Sequence, residues 1–303
     1  MKKVLILTDG KAGHENQSKA FARALGCDFD LVEVHFKSGF RKALSYLFDR
    51  LGLVSPALLE GLGKLDEPDY AAVLGTGSGT FYAAKALARK LGVKCGVVLY
   101  PSGYRLSTFD CILAPGFDNP KKASNIIEIP ANLVAADEAF YEKGVAAFRE
   151  RTGVDPEVAV IIGGPNKCST MTVGWMKDRL DEIFKRPGAK AVTTSRRTPP
   201  EVEALVDSYP WDYKLLYSKD HFNPIPAFVK LAKTLYVTAE STGMLSESCT
   251  FGTAEVKALD NLNPGPHKFR RFVEGLRAEG YVDGNRKVDL SAQFAAAKKL
   301  LDL

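Results

Sequence analysis

The chain has 303 residues, of which 46% are hydrophobic and 25% charged, with 41 Lys and Arg against 36 Asp and Glu. This composition is ordinary for a folded globular protein and excludes a disordered or low-complexity one. The net charge of +5 is too small to indicate a nucleic-acid-binding protein, but it suits an anionic ligand or an acidic membrane surface. At about 150 residues per domain the length suggests two domains, although one large α/β domain would also fit.

The sequence also disfavours a membrane-spanning or disulfide-bonded protein. No apolar run approaches the ~18 residues needed to cross a bilayer. The first apolar stretch stops at Leu7, which is too short for a signal peptide. The five cysteines are odd in number and form no Cys-x-x-Cys pair, which disfavours a disulfide framework and a structural zinc site. We therefore expect a reduced, cytoplasmic protein.

The first half of the chain alternates strand-like and helical patterns. Helices are predicted over 14–25 and 80–91, with two helical stretches around 37–62. Strands are predicted at residues 4–7, 30–35, 70–74, 94–100, 109–113 and 125–129. Strands that alternate with helices of this length predict βαβ units and a mostly parallel sheet.

The pattern begins again after a polar helix that ends near residue 156. Further strands are predicted at 158–162, 189–194, 213–217, 234–238 and 255–259, with helices between them. We therefore predict an α/β protein with two Rossmann-like domains, residues 1–150 and 151–286. A terminal helix within 287–303 follows a turn-rich stretch.

Polar residues crowd the loop after the first strand, where residues 8–17 read TDGKAGHENQ. In open α/β sheets, ligands sit outside the carboxyl ends of the strands. The following helix offers free N–H groups to an anion, and a histidine there can act as a base near neutral pH. The alternative is a polar loop with a capping Asp. We predict that His14 and Asp9 are catalytic and that the active site is also lined by Gly10, Lys11, Gly13 and Asn16.

A second glycine-rich loop, GTGSG at residues 75–79, departs from a dinucleotide fingerprint. Its spacing is Gly-x-Gly-x-Gly, no Gly-Lys-Ser/Thr follows, and no acidic residue stands near Tyr100 to bind a ribose. The loop is predicted either as a tight turn whose serine caps the next helix or as part of the site lining. The lining residues would be Gly75, Thr76, Gly77 and Ser78.

Three loops after strands of the second half carry groups suited to a nucleoside diphosphate. Glycines at 163 and 164 allow close backbone approach to a ligand. Residues 193–199, TTSRRTP, place two arginines among hydroxyls, as in a diphosphate clamp. Residues 238–247, TAESTGMLSE, open a helix with carboxylates that can hold ribose hydroxyls. The predicted ligands are Gly163, Gly164, Ser195, Arg196, Glu240, Ser241 and Glu247.

Each of these residues has a structural alternative. The glycines would form a tight turn, Glu240 would cap a helix, and Glu247 would be a buried polar residue satisfied locally. The remaining histidines, His35, His221 and His267, show no ligand spacing and are interpreted as structural or surface residues.

The segments TDGKAGHENQ, TTSRRTPPEVE and TAESTGMLSES closely resemble, in this order and spacing, the family named for the plant mitochondrial fission protein ELM. The layout is similar, more distantly, to the GT-B glycosyltransferases of cell-wall and lipid A synthesis, with residues 10–14 and 243–247 matching the glycine loop and donor-site helix of MurG-type transferases. The resemblance implies a GT-B arrangement of two domains around a central cleft. It also implies Glu247 and Met244 on the donor helix, His14 on the acceptor side, and a terminal helix that returns to the first domain.

Together these features predict a glycosyltransferase that moves a sugar from a nucleotide-diphosphate donor, expected to be UDP-linked, to an envelope or lipid-linked acceptor. No metal motif is evident, so arginine and helix dipoles are expected to replace Mg²⁺ at the leaving diphosphate, and no separate cofactor is expected. Three alternatives stay open: a non-catalytic membrane-peripheral scaffold, a nucleotide-cofactor epimerase or oxidoreductase, and a UDP-sugar epimerase on the same fold. The basic, apolar segment 37–62 predicts either weak contact with an anionic membrane or an internal helix pair packed on the sheet.

Overall fold

The computed structural model describes residues 1–61 and 69–303, so Leu62, the last residue of the 37–62 segment, lies outside the described residues. The strands are β1 (Lys3–Thr8), β2 (Asp28–Glu33), β3 (His35–Phe36), β4 (Leu59–Glu60), β5 (Ala72–Thr76), β6 (Lys94–Val98), β7 (Cys111–Pro115), β8 (Ile126–Ile129), β9 (Val158–Ile161), β10 (Lys190–Thr193), β11 (Tyr213–Leu215), β12 (Thr234–Thr238) and β13 (Glu255–Leu259). The helices are α1 (Ala12–Ala24), α2 (Gly39–Arg50), α3 (Phe81–Leu91), α4 (Glu138–Thr152), α5 (Val173–Phe184), α6 (Pro200–Asp207), α7 (Ile225–Leu231), α8 (Thr242–Thr250), α9 (Lys268–Ala278) and α10 (Ser291–Leu300).

Two parallel sheets confirm the predicted α/β class with two Rossmann-like folds. The first has the strand order β2-β1-β5-β6-β7-β8 and the second the order β11-β10-β9-β12-β13, and all neighbouring strands in both sheets run parallel. Apart from the half-buried Lys3 at the start of β1, the central strands are buried along their length, which is why they read as near-continuous apolar runs in the sequence.

The first sheet is covered on both faces. Leu5 and Leu7 of β1 pack into one apolar core with residues of α3, while Val4 and Ile6 pack into a second core with residues of α1. This division follows from the alternation of side chains along a strand. Across the described ranges, no helix is both long and apolar enough to span a bilayer.

The 37–62 segment differs from the prediction of two helical stretches. One helix, α2, is followed by a short 3₁₀ turn over Pro56–Leu58 and then by β4, which pairs antiparallel with β3. The prediction of a second helix was wrong because Leu59 and Glu60 return alongside His35 and Phe36 as extended chain.

The chain divides into two compact units, residues 1–135 with 289–303, and residues 136–288. The division lies before α4 rather than near residue 150, because α4 packs against α7 of the second unit. Tyr141 and Phe148 of α4 are fully buried. Gly144 lets the two helices approach closely, since a Cβ there would lie 2.5 Å from the Cβ of Pro226.

Residues 289–303 belong to the first unit. Ala297 and Leu301 are fully buried in the core that contains Val4 and Ile6. Val288 still belongs to the second unit, where its N–H donates to the carbonyl of Cys249 at 2.9 Å. The chain therefore leaves the first unit after residue 135 and comes back to it at residue 289.

Candidate functional site

The first unit has a topological switch point between β1 and β5. The strand order reverses there, because the chain continues from β1 to β2 on one side and places β5 on the other. Ligands of open α/β sheets bind in the crevice outside the carboxyl ends of such strands. The loops after β1 and β5 are the two glycine-containing loops predicted from the sequence to line a site, so the fold brings these two motifs together.

Asp9 and His14 form a hydrogen-bonded pair at this point. Nδ1 of His14 lies 3.0 and 3.1 Å from the two carboxylate oxygens of Asp9, and Lys11 Nζ lies 2.9 Å from Oδ2. Burial acts to raise the pKa of Asp9, but the hydrogen bonds from Lys11 and His14 outweigh it and hold the pKa below its usual value. An ionised Asp9 can only accept a hydrogen bond, so it favours the His14 tautomer with its proton on Nδ1, in which Nε2 would be the proton acceptor.

The loop after β5 is shaped around this pair. A Cβ on Gly77 would lie 2.3 Å from the Cε1 of His14, and a Cβ on Gly79 would lie 2.6 Å from Oδ2 of Asp9. Gly77 also has a φ of +82°, in the region that favours glycine. Both glycines are therefore required by the aspartate–histidine pair that packs against them.

The other predicted lining residues of the first unit have separate contacts. Thr76 Oγ1 is 2.6 Å from Ser18 Oγ, and Ser78 Oγ accepts a hydrogen bond from Lys42 Nζ at 3.0 Å. Gly13 and Asn16 are exposed on the first turns of α1. The residues with roles in the turns themselves are Gly10, whose N–H donates to Thr8 Oγ1, and Gly75, which packs on Thr80.

In the second unit, a cavity of about 350 Å³ lies at the carboxyl ends of β9, β10 and β11. Arg196 and Arg197 line it, both are exposed, and neither has an ion-pair partner among the described residues. The predicted ligands that line the cavity are Gly163, Ser195, Arg196, Ser241 and Met244. Three segments far apart in the sequence thus meet at one place.

Glu240 and the two glycines hold the loops of this unit together. The N–H of Gly163 donates to Thr238 Oγ1 and the N–H of Gly164 to Glu240 Oε1, both at 2.8 Å. Asn261 Nδ2 donates to the other Glu240 oxygen at 2.8 Å, and Glu240 is only 2% exposed. The sequence predicts that Gly163, Gly164 and Glu240 contact a ligand. In the structure their backbone N–H groups and carboxylate form hydrogen bonds with other groups of the protein instead.

Space explains why both positions are glycine. A Cβ on Gly163 would lie 2.0 Å from Oε1 of Glu240, and a Cβ on Gly164 would lie 2.1 Å from the carbonyl oxygen of Arg197. The close approach predicted from Gly-Gly therefore exists, but its partners are neighbouring loops of the protein.

We expect Gly164→Ala to lower the free energy of unfolding by about 1–3 kcal/mol, because the new Cβ must displace the Arg197 backbone. Gly275→Ala in α9 is the matched control, since a Cβ there meets nothing within 4 Å. It is expected to be neutral or stabilising by up to about 1 kcal/mol. Urea unfolding of the two variants measures the difference, and equal stability of both would contradict the packing described.

Glu247 lies outside the cavity lining, on the same helix as Met244. Its Oε1 accepts a hydrogen bond from the buried Tyr141 hydroxyl at 2.9 Å. Burial raises the pKa of Glu247, and the hydrogen bond from Tyr141 works against this rise. Tyr141 thereby fixes the orientation of the carboxylate.

The cavity has an aromatic wall that the sequence did not reveal. Tyr217, His221 and Phe222 line it, and the rings of Tyr217 and His221 are 4.6 Å apart between centroids. The interpretation of His221 as a structural or surface residue rested on metal spacing, which says nothing about ring stacking. The signal available in the sequence was the position of Tyr217, two residues after the end of β11.

In the part of the chain that the structure describes, no three His, Cys, Asp or Glu side chains converge as they would around a metal ion.

Solved structures with the GT-B fold are similar to this chain along its whole length. UDP-GlcNAc 2-epimerase from Neisseria meningitidis, solved with UDP-GlcNAc bound, is 11% identical, with a TM-score of 0.52 and 100% of each chain covered. Arabidopsis thaliana UGT89C1, solved with UDP, is 12% identical, with a TM-score of 0.53, 100% of this chain covered and 91% of the other. At such low identity the similarity establishes the fold, which is of the GT-B class.

The family model described as mitochondrial fission ELM1 matches residues 12–299. The chain belongs to this family, which confirms the resemblance found in the sequence. Curated proteins include no significant match to the chain.

Proposed function

We propose that this protein binds a nucleoside-diphosphate sugar in its second unit and transfers the sugar to a hydroxyl acceptor. The observation that carries the proposal is the cavity at the carboxyl ends of β9, β10 and β11, because it combines unpaired cations with an aromatic wall. A nucleoside diphosphate offers the complementary groups, two phosphates and a base.

The cationic side of the cavity suits the diphosphate. Arg196 and Arg197 have no carboxylate partner among the described residues, so an anionic ligand would meet uncompensated charge. Guanidinium groups bind phosphate through paired hydrogen bonds. Ser195 adds a hydroxyl, and Ser241 brings the beginning of α8 to the cavity, where free N–H groups favour an anion.

The aromatic side suits the nucleobase. Stacking of a base on an aromatic side chain contributes about 1–3 kcal/mol and tolerates different bases. Tyr217, His221 and Phe222 supply such faces. Glu247, oriented by Tyr141, would accept hydrogen bonds from the ribose hydroxyls through its second oxygen.

The Asp9–His14 pair of the first unit would supply the base. The acceptor oxygen forms a bond to the anomeric carbon, and the bond from that carbon to the diphosphate breaks. His14 Nε2 takes the acceptor proton, while Asp9 stabilises the imidazolium that forms. Arg196 would stabilise the negative charge on the leaving diphosphate. A lipid-linked or envelope glycan is the acceptor class we propose.

A thermal-shift screen with UDP-, GDP-, ADP- and CMP-sugars, NAD and NADP tests the nucleotide class. We expect UDP or a UDP-sugar to stabilise the protein, by about 2.7 kcal/mol at a concentration 100 times the Kd. A clear shift with NAD and none with any nucleotide sugar would overturn the proposal.

Arg196→Ala is expected to weaken binding of the selected nucleotide by about 1.5–3 kcal/mol, the range for a hydrogen bond to a charged group. Arg179→Ala is the matched control, because Arg179 is exposed on α5 outside the cavity. Calorimetric titration of both variants measures the loss. Unchanged affinity in a folded Arg196→Ala variant would place the diphosphate elsewhere.

A further inference from the structure

Helix α2 has a polar buried side. Its two buried residues are Ser45 and Asp49. Asp49 accepts hydrogen bonds from Lys85 Nζ and from the N–H of Arg105, both at 2.5 Å, and Ser45 Oγ lies 2.9 Å from the hydroxyl of Tyr104. An amphipathic helix of a globular protein normally turns its apolar stripe to the core. In α2 the most deeply buried positions are instead polar and hydrogen-bonded.

The opposite side of α2 is apolar and exposed. Phe40, Leu47 and Leu51 follow each other at spacings of seven and four residues, which places them on one helix face. Their exposed fractions are 76%, 51% and 64%, and Leu53 just beyond is 51% exposed. These four make up half of the eight exposed large hydrophobic side chains in the described residues. Such a concentration indicates an interaction surface.

Arg41 and Arg50 of α2 lie on either side of this apolar stripe, whereas Lys42 lies on the buried side of the helix, seven residues from Asp49. Arg41 and Lys42 bond to neutral oxygens, of Ala57 and Ser78. The Arg105 guanidinium lies beside Gly52. The other cations are Lys37 and Arg50. Asp49 is the single acidic residue between 37 and 59, and it is buried against Lys85. The exposed part of residues 37–59 therefore carries positive charge only, and the exposed Glu60 follows directly after it.

We propose that α2 docks on the surface of an anionic phospholipid bilayer. The stripe of Phe40, Leu47 and Leu51 would enter the boundary between head groups and acyl chains, and the cations would contact lipid phosphates. An apolar helix face flanked by Lys and Arg is the arrangement that binds bilayer interfaces. A symmetric dimer through the same face would bring like charges together, which disfavours a second copy as the occupant.

Sedimentation of the whole chain with vesicles tests the proposal. Binding is expected to vesicles rich in phosphatidylglycerol at low salt, with little binding to pure phosphatidylcholine or at high salt. Arg50→Gln should weaken binding about fivefold, the equivalent of about 1 kcal/mol per cation near the surface. The double variant Phe40→Ser/Leu47→Ser should weaken binding at least about tenfold.

Val173→Ser is the matched control, because Val173 is an exposed hydrophobic side chain on α5 of the second unit. It should bind vesicles like the unchanged chain. Phe40, Leu47 and Val173 are all exposed, so thermal unfolding should show that the variants with serine at these positions are folded. Equal binding by the double variant, equal binding to both lipids, or dimerisation that the double variant abolishes would each overturn the proposal.

Discussion

Replacing Lys85 with methionine is expected to lower the free energy of unfolding by about 3–5 kcal/mol, the range for breaking a buried ion pair. The side chains of Lys85 and Asp49 are 3% and 1% exposed. Methionine keeps most of the packing against Phe109, whose ring centroid is 4.2 Å from Lys85 Nζ. It leaves the Asp49 carboxylate buried without its cation, and an unpaired buried charge is costly.

Two further variants separate this effect from lost packing. Lys90→Ala removes an exposed lysine from the same helix and should change the stability by less than about 0.5 kcal/mol. Lys85→Met combined with Asp49→Ala removes both charges and should cost less than Lys85→Met alone. Urea unfolding measures all three. If Lys85→Met cost no more than Lys90→Ala, the buried ion pair would have no role in holding α2 on α3.

His14→Ala is expected to slow sugar transfer about a hundredfold or more while leaving nucleotide affinity nearly unchanged. The reason is that a general base acts on the acceptor proton, whereas the donor would be held by residues of the second unit. Release of the nucleoside diphosphate from the selected sugar donor measures the rate, and calorimetric titration measures the affinity. Arg23→Ala is the matched control, because Arg23 is exposed in the last turn of α1, away from the Asp9–His14 pair.

Asp9→Asn tests the role of the carboxylate separately. An amide can donate to Nδ1 of His14 and would then favour the tautomer whose proton sits on Nε2, which cannot accept another. We therefore expect Asp9→Asn to slow sugar transfer, as His14→Ala does. Unchanged turnover in a folded His14→Ala variant would remove His14 from the mechanism. Nucleotide binding without any turnover in the unchanged chain would support the scaffold alternative.

The sheets were predictable because buried parallel strands read as apolar runs between helical patterns. The short pair β3 and β4 was not, since two residues per strand are too few for an alternation to be visible. The start of the second unit at Ala136 was also not predictable from the sequence. The sequence of α4 looks polar, and its attachment to α7 depends on a few residues, among them Tyr141, Gly144 and Phe148.

The site loops were predictable from their positions after strands, but the roles of individual groups were not. Gly163 and Gly164 signal a close approach, and a glycine is needed whether the approaching group is a ligand or a carbonyl of the same chain. Glu240 illustrates the same limit, because its partner Asn261 is distant in sequence. The aromatic wall was missed because Tyr217 and His221 show a pattern only once the chain is folded.

The return of residues 289–303 to the first unit has a consequence for synthesis on the ribosome. Leu301 packs over Gly96 of β6, and α10 lies on β7 and β8. The residues that cover these strands are made only after the whole of the second unit. The second unit is complete once residue 288 has emerged, and domains fold as units when their residues are available. The first unit thus begins to emerge before the second unit but completes its fold after it.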